Sequence, residues 1–225
     1  MDKFERRRDR FALFDSMDSP ALNLCFTLTL PDFRPWCRAQ GLAPFHVLLC
    51  ATLRAVLKIE NFCYRIVDGD VIRIERLNPS FTVTNANDDL NFAMFAWSDD
   101  LHTFVARSRA AGAEAAGMTA LNTQYAALSP RQAKEQVFVT CIPWLDFTSI
   151  QHPTATLAQP DIPSLAWGRF RDAPNGELTL PFSVQAHHGF VDGLHIHRLA
   201  TQITAELTTI LQLGSDTVLD CKIFL

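Results

Sequence analysis

Two adjacent histidines, His187 and His188, followed by Asp192 and Gly193, are the residues whose types and spacing best suit catalysis. An imidazole titrates near neutral pH, so it can take the proton from a hydroxyl that attacks a carbonyl carbon. Because adjacent residues of a β-strand point to opposite faces, only one of the two histidines can face a given substrate. The pattern predicts one catalytic base and one histidine that packs or supports it. The alternative is a pair of structural histidines at a strand end.

A metal site is the competing hypothesis, because five potential ligands fall within eleven residues: His187, His188, Asp192, His195 and His197. Their spacing opposes it. His187 and His188 diverge on a strand, and His195 and His197 do not share a face of the predicted helix. A helical metal pair requires the i, i+4 spacing. The sequence therefore predicts no metal site.

The histidines must be positioned by the elements on either side of them. Residues 178–184 alternate between apolar and polar types, which predicts a strand, and apolar residues recur at helical spacing over 194–213. The histidines therefore lie where a strand ends and a turn begins. Such a turn can present side chains to a cleft on a rigid support.

The remaining pattern predicts a mixture of strands and helices. Strands are predicted at 22–30, 80–84, 90–96 and 137–141, with a hairpin of 62–67 and 71–74 around Asp68-Gly69-Asp70. Helices are predicted at 44–59, from the cap Ser98-Asp99-Asp100 to about 111, and after Ser129-Pro130, while 151–162 reads as an irregular loop or edge. Because the strands and helices do not alternate regularly, we expect an α+β fold, a two-layer sandwich of a mixed β-sheet and helices.

Composition limits the classes of function. The 225 residues are enough for a large core, and we expect a single domain over 1–225. A hydrophobic content of 48% and a formal net charge of −4 describe an ordinary globular protein and give no support for nucleic-acid binding. The basic run Arg6-Arg7-Arg8 is interleaved with Glu5 and Asp9, so its net charge is small.

The sequence also predicts a cytoplasmic protein. Its apolar runs are too short to span a membrane, and the N-terminal residues do not resemble a signal peptide. The six cysteines are scattered without Cys-x-x-Cys pairs, which is typical of small buried side chains in a reducing compartment.

The motif of the two histidines is that of CoA-dependent acyltransferases, and further segments resemble chloramphenicol acetyltransferases of the trimeric type. These segments follow that family's order and spacing over nearly the whole chain: 6–11, 62–69, 78–83, 143–149 and 185–188. The resemblance implies a two-layer α+β subunit that assembles into a homotrimer, with each active site at a subunit interface.

The resemblance also implies roles for four residues. His188 corresponds to the catalytic base, which deprotonates the acceptor hydroxyl in a direct transfer from acetyl-CoA without an acyl-enzyme. Asp192 corresponds to an aspartate that pairs with an arginine, which by spacing is Arg7; a solvated surface arginine is the alternative. Thr140 stands where the family has a serine that donates to the oxyanion, and it keeps the required hydroxyl.

Two residues correspond to contacts with CoA. Trp144 matches a residue that packs on the cofactor, although a buried core tryptophan is an equally ordinary interpretation. Arg169 matches a basic residue near the 3′-phosphate, which a guanidinium can bind.

The differences from the family fall in the acceptor pocket. Phe14 and Phe92 keep aromatic positions. The family lines the pocket with Cys, Leu, Val and Ile. By ungapped spacing, the corresponding residues of this chain are Pro20, His152, Thr154 and Ser164, and Ala166 stands where the family has a threonine. We expect a pocket more polar than a nitrophenyl ring prefers.

The leading hypothesis is an acetyl-CoA-dependent O-acetyltransferase that acts on a small-molecule hydroxyl acceptor, with chloramphenicol as the first candidate. The alternatives are a relative that acts on another alcohol or amine, and a non-catalytic protein that binds CoA or a ligand. A condensation domain shares the histidine motif but needs a longer chain. A dihydrolipoyl acyltransferase core suits the length but lacks the other similar segments.

Overall fold

A computed structural model describes residues 4–122, 124–154 and 160–219, with side chains as far as 212. Its strands are β1 (Ala21–Pro31), β2 (Tyr64–Val67), β3 (Asp70–Arg73), β4 (Asn78–Thr84), β5 (Leu90–Met94), β6 (Gln136–Cys141), β7 (Ser164–Trp167), β8 (Arg171–Asp172) and β9 (Glu177–His187). Its helices are α1 (Arg8–Asp15), α2 (Arg34–Ala39), α3 (Pro44–Leu57), α4 (Leu101–Gly117), α5 (Pro130–Lys134) and α6 (Gly193–Leu219). Short 3-10 helices occur at Glu5–Arg7, Glu60–Cys63 and Gln124–Ala127.

A mixed sheet in the order β1-β9-β7-β6-β4-β5 forms one layer, and β8 pairs with β9. The pairs β4–β6 and β6–β7 are parallel, and the other pairs are antiparallel. The hairpin of β2 and β3 is separate. Its turn has positive φ at both Asp68 (53°) and Gly69 (87°), as the Asp-Gly pair predicts for a tight hairpin.

The two faces of the sheet differ in chemistry. Phe81, Val139, Leu165 and Val184 lie side by side across four strands, and all four are buried in the core with helices α3 and α6. The neighbouring row lies one residue away along each strand and consists of Ser80, Phe138, Ser164 and Gln185. Because successive strand residues alternate between faces, this second row lies on the face away from the core.

The predicted two-layer α+β sandwich with a mixed sheet is confirmed. Strand β9 continues to His187 because its pairing with β1 extends to Ala21. Strand β7 was not predicted, since four consecutive buried residues give no alternation. Helices α1 and α2 were also missed. Helix α4 begins after Asp100, whose side chain accepts from the Thr103 amide, and it continues six residues beyond the predicted end.

The other sequence expectations have mixed outcomes. Residues 151–154 and 160–162 contain no regular element, and the rest of the predicted irregular segment lies outside the described residues. Three cysteines are buried (Cys37, Cys50 and Cys63), two are partly buried, and Cys221 lies outside the described residues. Within the described chain, no helix is long and apolar enough to cross a membrane.

Candidate active site

His188 lies in the turn directly after β9, and its contacts indicate which nitrogen carries the hydrogen in the neutral ring. The backbone amide donates to the Pro20 carbonyl oxygen at 2.7 Å, and Nδ1 lies 3.0 Å from the Val191 carbonyl oxygen. Since a carbonyl oxygen can only accept, Nδ1 carries the proton in the neutral ring. Nε2 is then left with a lone pair. The Phe14 ring stacks on the imidazole with 4.0 Å between the centroids.

His187, at the end of β9, has both ring nitrogens in use. Nδ1 accepts from the Gly189 amide at 3.1 Å, and Nε2 lies 3.3 Å from Asp15 Oδ1. The ring is buried and packs against Phe11 and Phe190, whose rings also contact each other. Burial lowers the pKa of His187, although Asp15 opposes the shift. His187 therefore holds the turn and offers no free nitrogen to a substrate.

The predicted pairing of Arg7 with Asp192 is present in the structure. Arg7 Nη1 donates to Asp192 Oδ2 at 2.9 Å, and Arg7 Nε donates to the Gly189 carbonyl oxygen at 3.2 Å. Only 17% of the Arg7 side chain is exposed, so it is not a solvated surface arginine. His195 Nδ1 lies 2.9 Å from Asp192 Oδ1. Burial favours the neutral acid, but Arg7 and His195 outweigh it and hold the pKa of Asp192 below its usual value.

This ion pair ties the N-terminal helical segment to the turn that carries His188. Arg7 reaches the carbonyl oxygens of both Gly189 and, at 3.5 Å, His188 itself. The arrangement can therefore fix the backbone on either side of the His188 side chain. Within the described chain, no group of three or more His, Cys, Asp or Glu side chains is placed to hold a metal ion.

A cavity of about 470 Å³ on the outer face of the sheet collects a second group of predicted residues. Thr140, Phe92 and Ser164 line it, whereas Phe14 lies against His188 instead. The other described lining residues are Ser80, Thr82, Leu90, Met94, Asn122, Gln124, Tyr125, Phe138, Val139, His152 and Pro153. None of these described side chains is charged at neutral pH, and several carry hydroxyl or amide groups.

The expectation of polar residues at pocket positions has a mixed outcome. His152 and Ser164 line the cavity, but Pro20 and Thr154 are not among its described lining residues. Ala166 is fully buried beside Thr140 in the sheet. The sequence analysis missed Ser80, Thr82 and Asn122. Ser80 and Thr82 are two residues apart on a predicted strand and so share one face of it. Only the strand order shows that this face lies next to Thr140.

Thr140 and His188 are far apart within one chain. Thr140 pairs with Ala166, which pairs with Ser183, and His188 follows Ser183 by five residues. Strands rise about 3.3 Å per residue and lie about 4.8 Å apart, so the two α-carbons are roughly 15–20 Å from each other. Two side chains cannot act on one small group across that distance. The predicted catalytic residues thus fall into two clusters.

Trp144 and Arg169 form an exposed patch beyond the end of β6. The Trp144 side chain is 58% exposed, so it is not a core tryptophan. Arg169 donates from its guanidinium to the Trp144 carbonyl oxygen and from its amide to the Leu145 carbonyl oxygen. Gly168 permits this approach, since a Cβ there would lie 2.5 Å from the Leu145 oxygen. An aromatic face beside a guanidinium suits a nucleotide base and its phosphates.

A second cavity, of about 420 Å³, adjoins this patch. Its described lining includes Asp146, Phe147, Thr148 and Arg171, with residues of β1 and β9. Asp146 and Arg171 form an ion pair in its lining. The segment from Thr140 to Thr148 therefore runs from one cavity to the other.

The fold is that of the CoA-dependent acyltransferases, and the protein is an enzyme of the acyltransferase class. A solved chloramphenicol acetyltransferase has a TM-score of 0.79, at 24% identity, over 92% of this chain and 98% of its own. The cubic core of the pyruvate dehydrogenase multienzyme complex has a TM-score of 0.59, at 17% identity, over 92% and 87% of the two chains. The family model described as chloramphenicol acetyltransferase matches residues 1–204, so the chain belongs to that family.

Individual relatives are distant but similar in length. The chloramphenicol acetyltransferase of Bacillus pumilus is 24% identical over 207 residues, which cover 87% of this chain and 86% of the relative. Chloramphenicol acetyltransferase 2 of Haemophilus influenzae is 25% identical over 207 residues, with 92% and 94% covered.

Proposed function

We propose that this protein is an acetyl-CoA-dependent O-acetyltransferase that transfers acetyl directly to the hydroxyl of a small acceptor, with chloramphenicol as the first candidate. The observation that carries this proposal is the hydrogen bond made by the His188 ring. Its Nδ1 donates to the carbonyl oxygen of Val191, so the lone pair of Nε2 is free to accept a proton. The family match supports the acyl chemistry.

In the proposed reaction, His188 Nε2 accepts the proton of the acceptor hydroxyl while the hydroxyl oxygen bonds to the thioester carbon of acetyl-CoA. The carbonyl oxygen becomes negatively charged, and the Thr140 hydroxyl donates to it. That hydroxyl makes no hydrogen bond to another described residue, so it is available. When the C–S bond breaks, His188 returns the proton to the departing sulfur. The products are the acetyl ester and CoA.

We assign CoA to the surface beside Trp144 and Arg169. The exposed indole offers a face for the adenine ring, and the guanidinium, which spends one donor on the Trp144 carbonyl oxygen, has others for a phosphate. Thr140 lies four residues before Trp144, so the chain leads from the proposed cofactor surface to the oxyanion.

The separation of Thr140 from His188 supports a homotrimer with interface sites. Exposed apolar residues flank both clusters: Leu13, Met17 and Leu194 near the ion-paired turn, and Leu90, Leu121 and Tyr125 near the cavity. Two different patches that meet in a head-to-tail contact form a closed ring when the rotation between successive protomers closes. In a three-membered ring, His188 of one protomer would face the Thr140 cavity of the next.

The proposal also includes a single domain and a cytoplasmic location. One sheet carries both clusters, so neither half of the chain could form a site alone. The five cysteines among the described residues are free thiols, which suits a reducing compartment.

A thiol-release assay with acetyl-CoA tests the proposal. Chloramphenicol and a panel of uncharged primary alcohols and amines serve as acceptors, and mass spectrometry identifies the product. We expect CoA release with at least one alcohol and a mass increase of one acetyl group. If acetyl-CoA binds but no acceptor releases CoA, the protein is a binding relative and the proposal is wrong.

A further inference from the structure

Asn61, a buried residue far from His188 in the sequence, donates a hydrogen bond to the turn that carries His188. Its Nδ2 lies 2.8 Å from the Phe190 carbonyl oxygen, and only 7% of the residue is exposed. Arg7 holds the two preceding carbonyl oxygens of the turn, those of His188 and Gly189. Three successive carbonyl oxygens of the turn thus accept from two side chains that lie outside it.

The peptide unit between Phe190 and Val191 is held at both ends. Its carbonyl oxygen accepts from Asn61, and its amide, that of Val191, donates to the His187 carbonyl oxygen at 2.9 Å. Because a peptide unit is planar, these two hydrogen bonds fix its orientation and the position of the Val191 α-carbon. The next carbonyl oxygen along the chain is that of Val191, which His188 Nδ1 contacts. Asn61 is therefore one peptide unit away from the contact that sets the His188 tautomer.

The segment that carries Asn61 is anchored by the fully buried guanidinium of Arg65. Arg65 Nη1 donates to the carbonyl oxygens of Phe62 and Tyr64, both at 2.8 Å. Arg65 Nη2 donates to the Gln136 carbonyl oxygen at the start of β6, at 3.2 Å. The 3-10 helix Glu60–Cys63 is thereby tied to the sheet, and it presents the Asn61 amide to the turn from a fixed support.

We propose that Asn61 is a positioning residue for the transfer reaction. By holding the Phe190 carbonyl oxygen, it keeps the Val191 carbonyl oxygen in place for His188 Nδ1. Without a fixed partner for Nδ1, the Nε2–H tautomer gains population, and its Nε2 has no lone pair for the acceptor proton. The catalytic consequence rests on the proposed function, whereas the effect on the tautomer does not.

Nitrogen-15 NMR on protein labelled at histidine measures the tautomer at about pH 8.5, where an ordinary imidazole is neutral. The protonated and unprotonated nitrogens of a neutral ring give separate resonances, and the signals that vanish in His188→Gln belong to His188. In the wild type, Nδ1 should carry the hydrogen. Asn61→Leu keeps the approximate size of the side chain and removes the donor, so its His188 should show a substantial population of the Nε2–H form.

Thiol release measures the consequence for turnover. In Asn61→Leu, kcat should fall about 10-fold, less than the 10²–10⁴ expected when a general base is removed, because the base is present but misplaced. The KM for acetyl-CoA should stay within about twofold, since no cofactor contact is removed. Asn61→Ala is the second variant and serves if the leucine variant does not fold. Water can then reach the Phe190 oxygen, so both effects should be smaller.

Phe62→Leu is the matched control. Phe62 adjoins Asn61 in the same 3-10 helix and is buried, so its truncation destabilises the core without removing the Asn61 hydrogen bond. The melting temperature of this variant should fall, while the His188 tautomer and kcat should remain those of the wild type. The control separates positioning from a general loss of stability.

An unchanged His188 tautomer in the folded Asn61 variants would overturn the inference, as would the same change of tautomer in Phe62→Leu or a wild-type ring protonated on Nε2. If neither Asn61 variant folds, Asn61 is a structural residue and the inference is wrong. A changed tautomer at wild-type kcat would remove the link to catalysis. A changed tautomer in a protein whose wild type releases no CoA would keep Asn61 as the support of the turn and reject the proposed transferase activity.

Discussion

The Nδ1 atom of His188 lies 3.0 Å from the carbonyl oxygen of Val191, three residues further along the same turn. This short-range contact sets the tautomer of the imidazole and leaves Nε2 as its acceptor atom. The stack on Phe14 limits rotation of the ring. As the proposed general base, His188 needs no rearrangement of its ring before it accepts a proton.

His188→Ala should lower kcat by about 10²–10⁴, the usual contribution of a general base, while acetyl-CoA still binds. His187→Ala should mainly reduce the free energy of unfolding, by about 2–4 kcal/mol, because it removes a buried ring with two hydrogen bonds. Neither His195→Ala nor His197→Ala should reproduce the loss of turnover. Steady-state kinetics and urea unfolding on each variant separate the effects. Full activity in His188→Ala, with loss in His187→Ala, would reverse the assignment.

Asp192→Asn should lower activity and thermal stability together, because the ion pair with Arg7 fixes the turn that carries His188, the proposed base. The Asp192 side chain is 37% exposed, so we expect about 1–3 kcal/mol, below the cost of breaking a fully buried pair. The double variant with Arg7→Met should lose little more than either single variant. Calorimetric melting measures the stability. Lost turnover at an unchanged melting temperature would instead indicate a direct chemical role for Asp192.

Much of this candidate site could be predicted from the sequence because its residues lie close together along the chain. His188 and Asp192 lie four residues apart in one turn, so the motif alone located them. Arg7 is 185 residues from Asp192, so the pairing of these two residues could be predicted only from the family resemblance. Phe14 was predicted beside Phe92 in the pocket, but the two lie in different clusters. Sequence spacing cannot show which surfaces of two copies meet.

Thr140→Ala should lower kcat by about 10²–10³ if its hydroxyl donates to the oxyanion. Thr140→Ser keeps the hydroxyl and removes the methyl group that restricts χ1, so this variant should retain or improve activity. Thr140→Val, which matches the shape, controls for packing and should resemble the alanine variant. Initial rates at saturating acetyl-CoA measure these effects. Equal activity in all three variants would exclude the hydroxyl from catalysis.

Acid should destabilise the protein through histidines that are held neutral in the folded state. Burial, reinforced by the charge of Arg109, lowers the pKa of His46 to about 4. Below the unfolded pKa of about 6.5, the unfolded chain gains a proton that the folded chain does not, so stability falls between about pH 6.5 and 4.

Urea unfolding at about pH 7.5 and about pH 5 measures this loss. His46→Gln cannot titrate and can keep the contact with Ser108, whose Oγ lies 2.7 Å from His46 Nδ1. The glutamine variant should therefore lose less stability in acid than the wild type. His102→Gln, at an exposed position, should show the wild-type dependence. An unchanged pH dependence in His46→Gln would remove His46 as a source of acid sensitivity.

Oligomers that contain both His188→Ala and Thr140→Ala chains should be more active than oligomers of either variant alone. In the proposed ring, each site joins His188 of one protomer to Thr140 of the next. Co-expressed His188→Ala and Thr140→Ala chains, carrying different affinity tags and purified over both, should contain some interfaces with both residues intact. Their turnover should exceed that of either parent by at least about tenfold, given the loss expected for each variant. The single-tag oligomers are the controls. A site within one chain could not be repaired by mixing, so inactive mixed trimers would contradict the shared site, as would a monomer by light scattering.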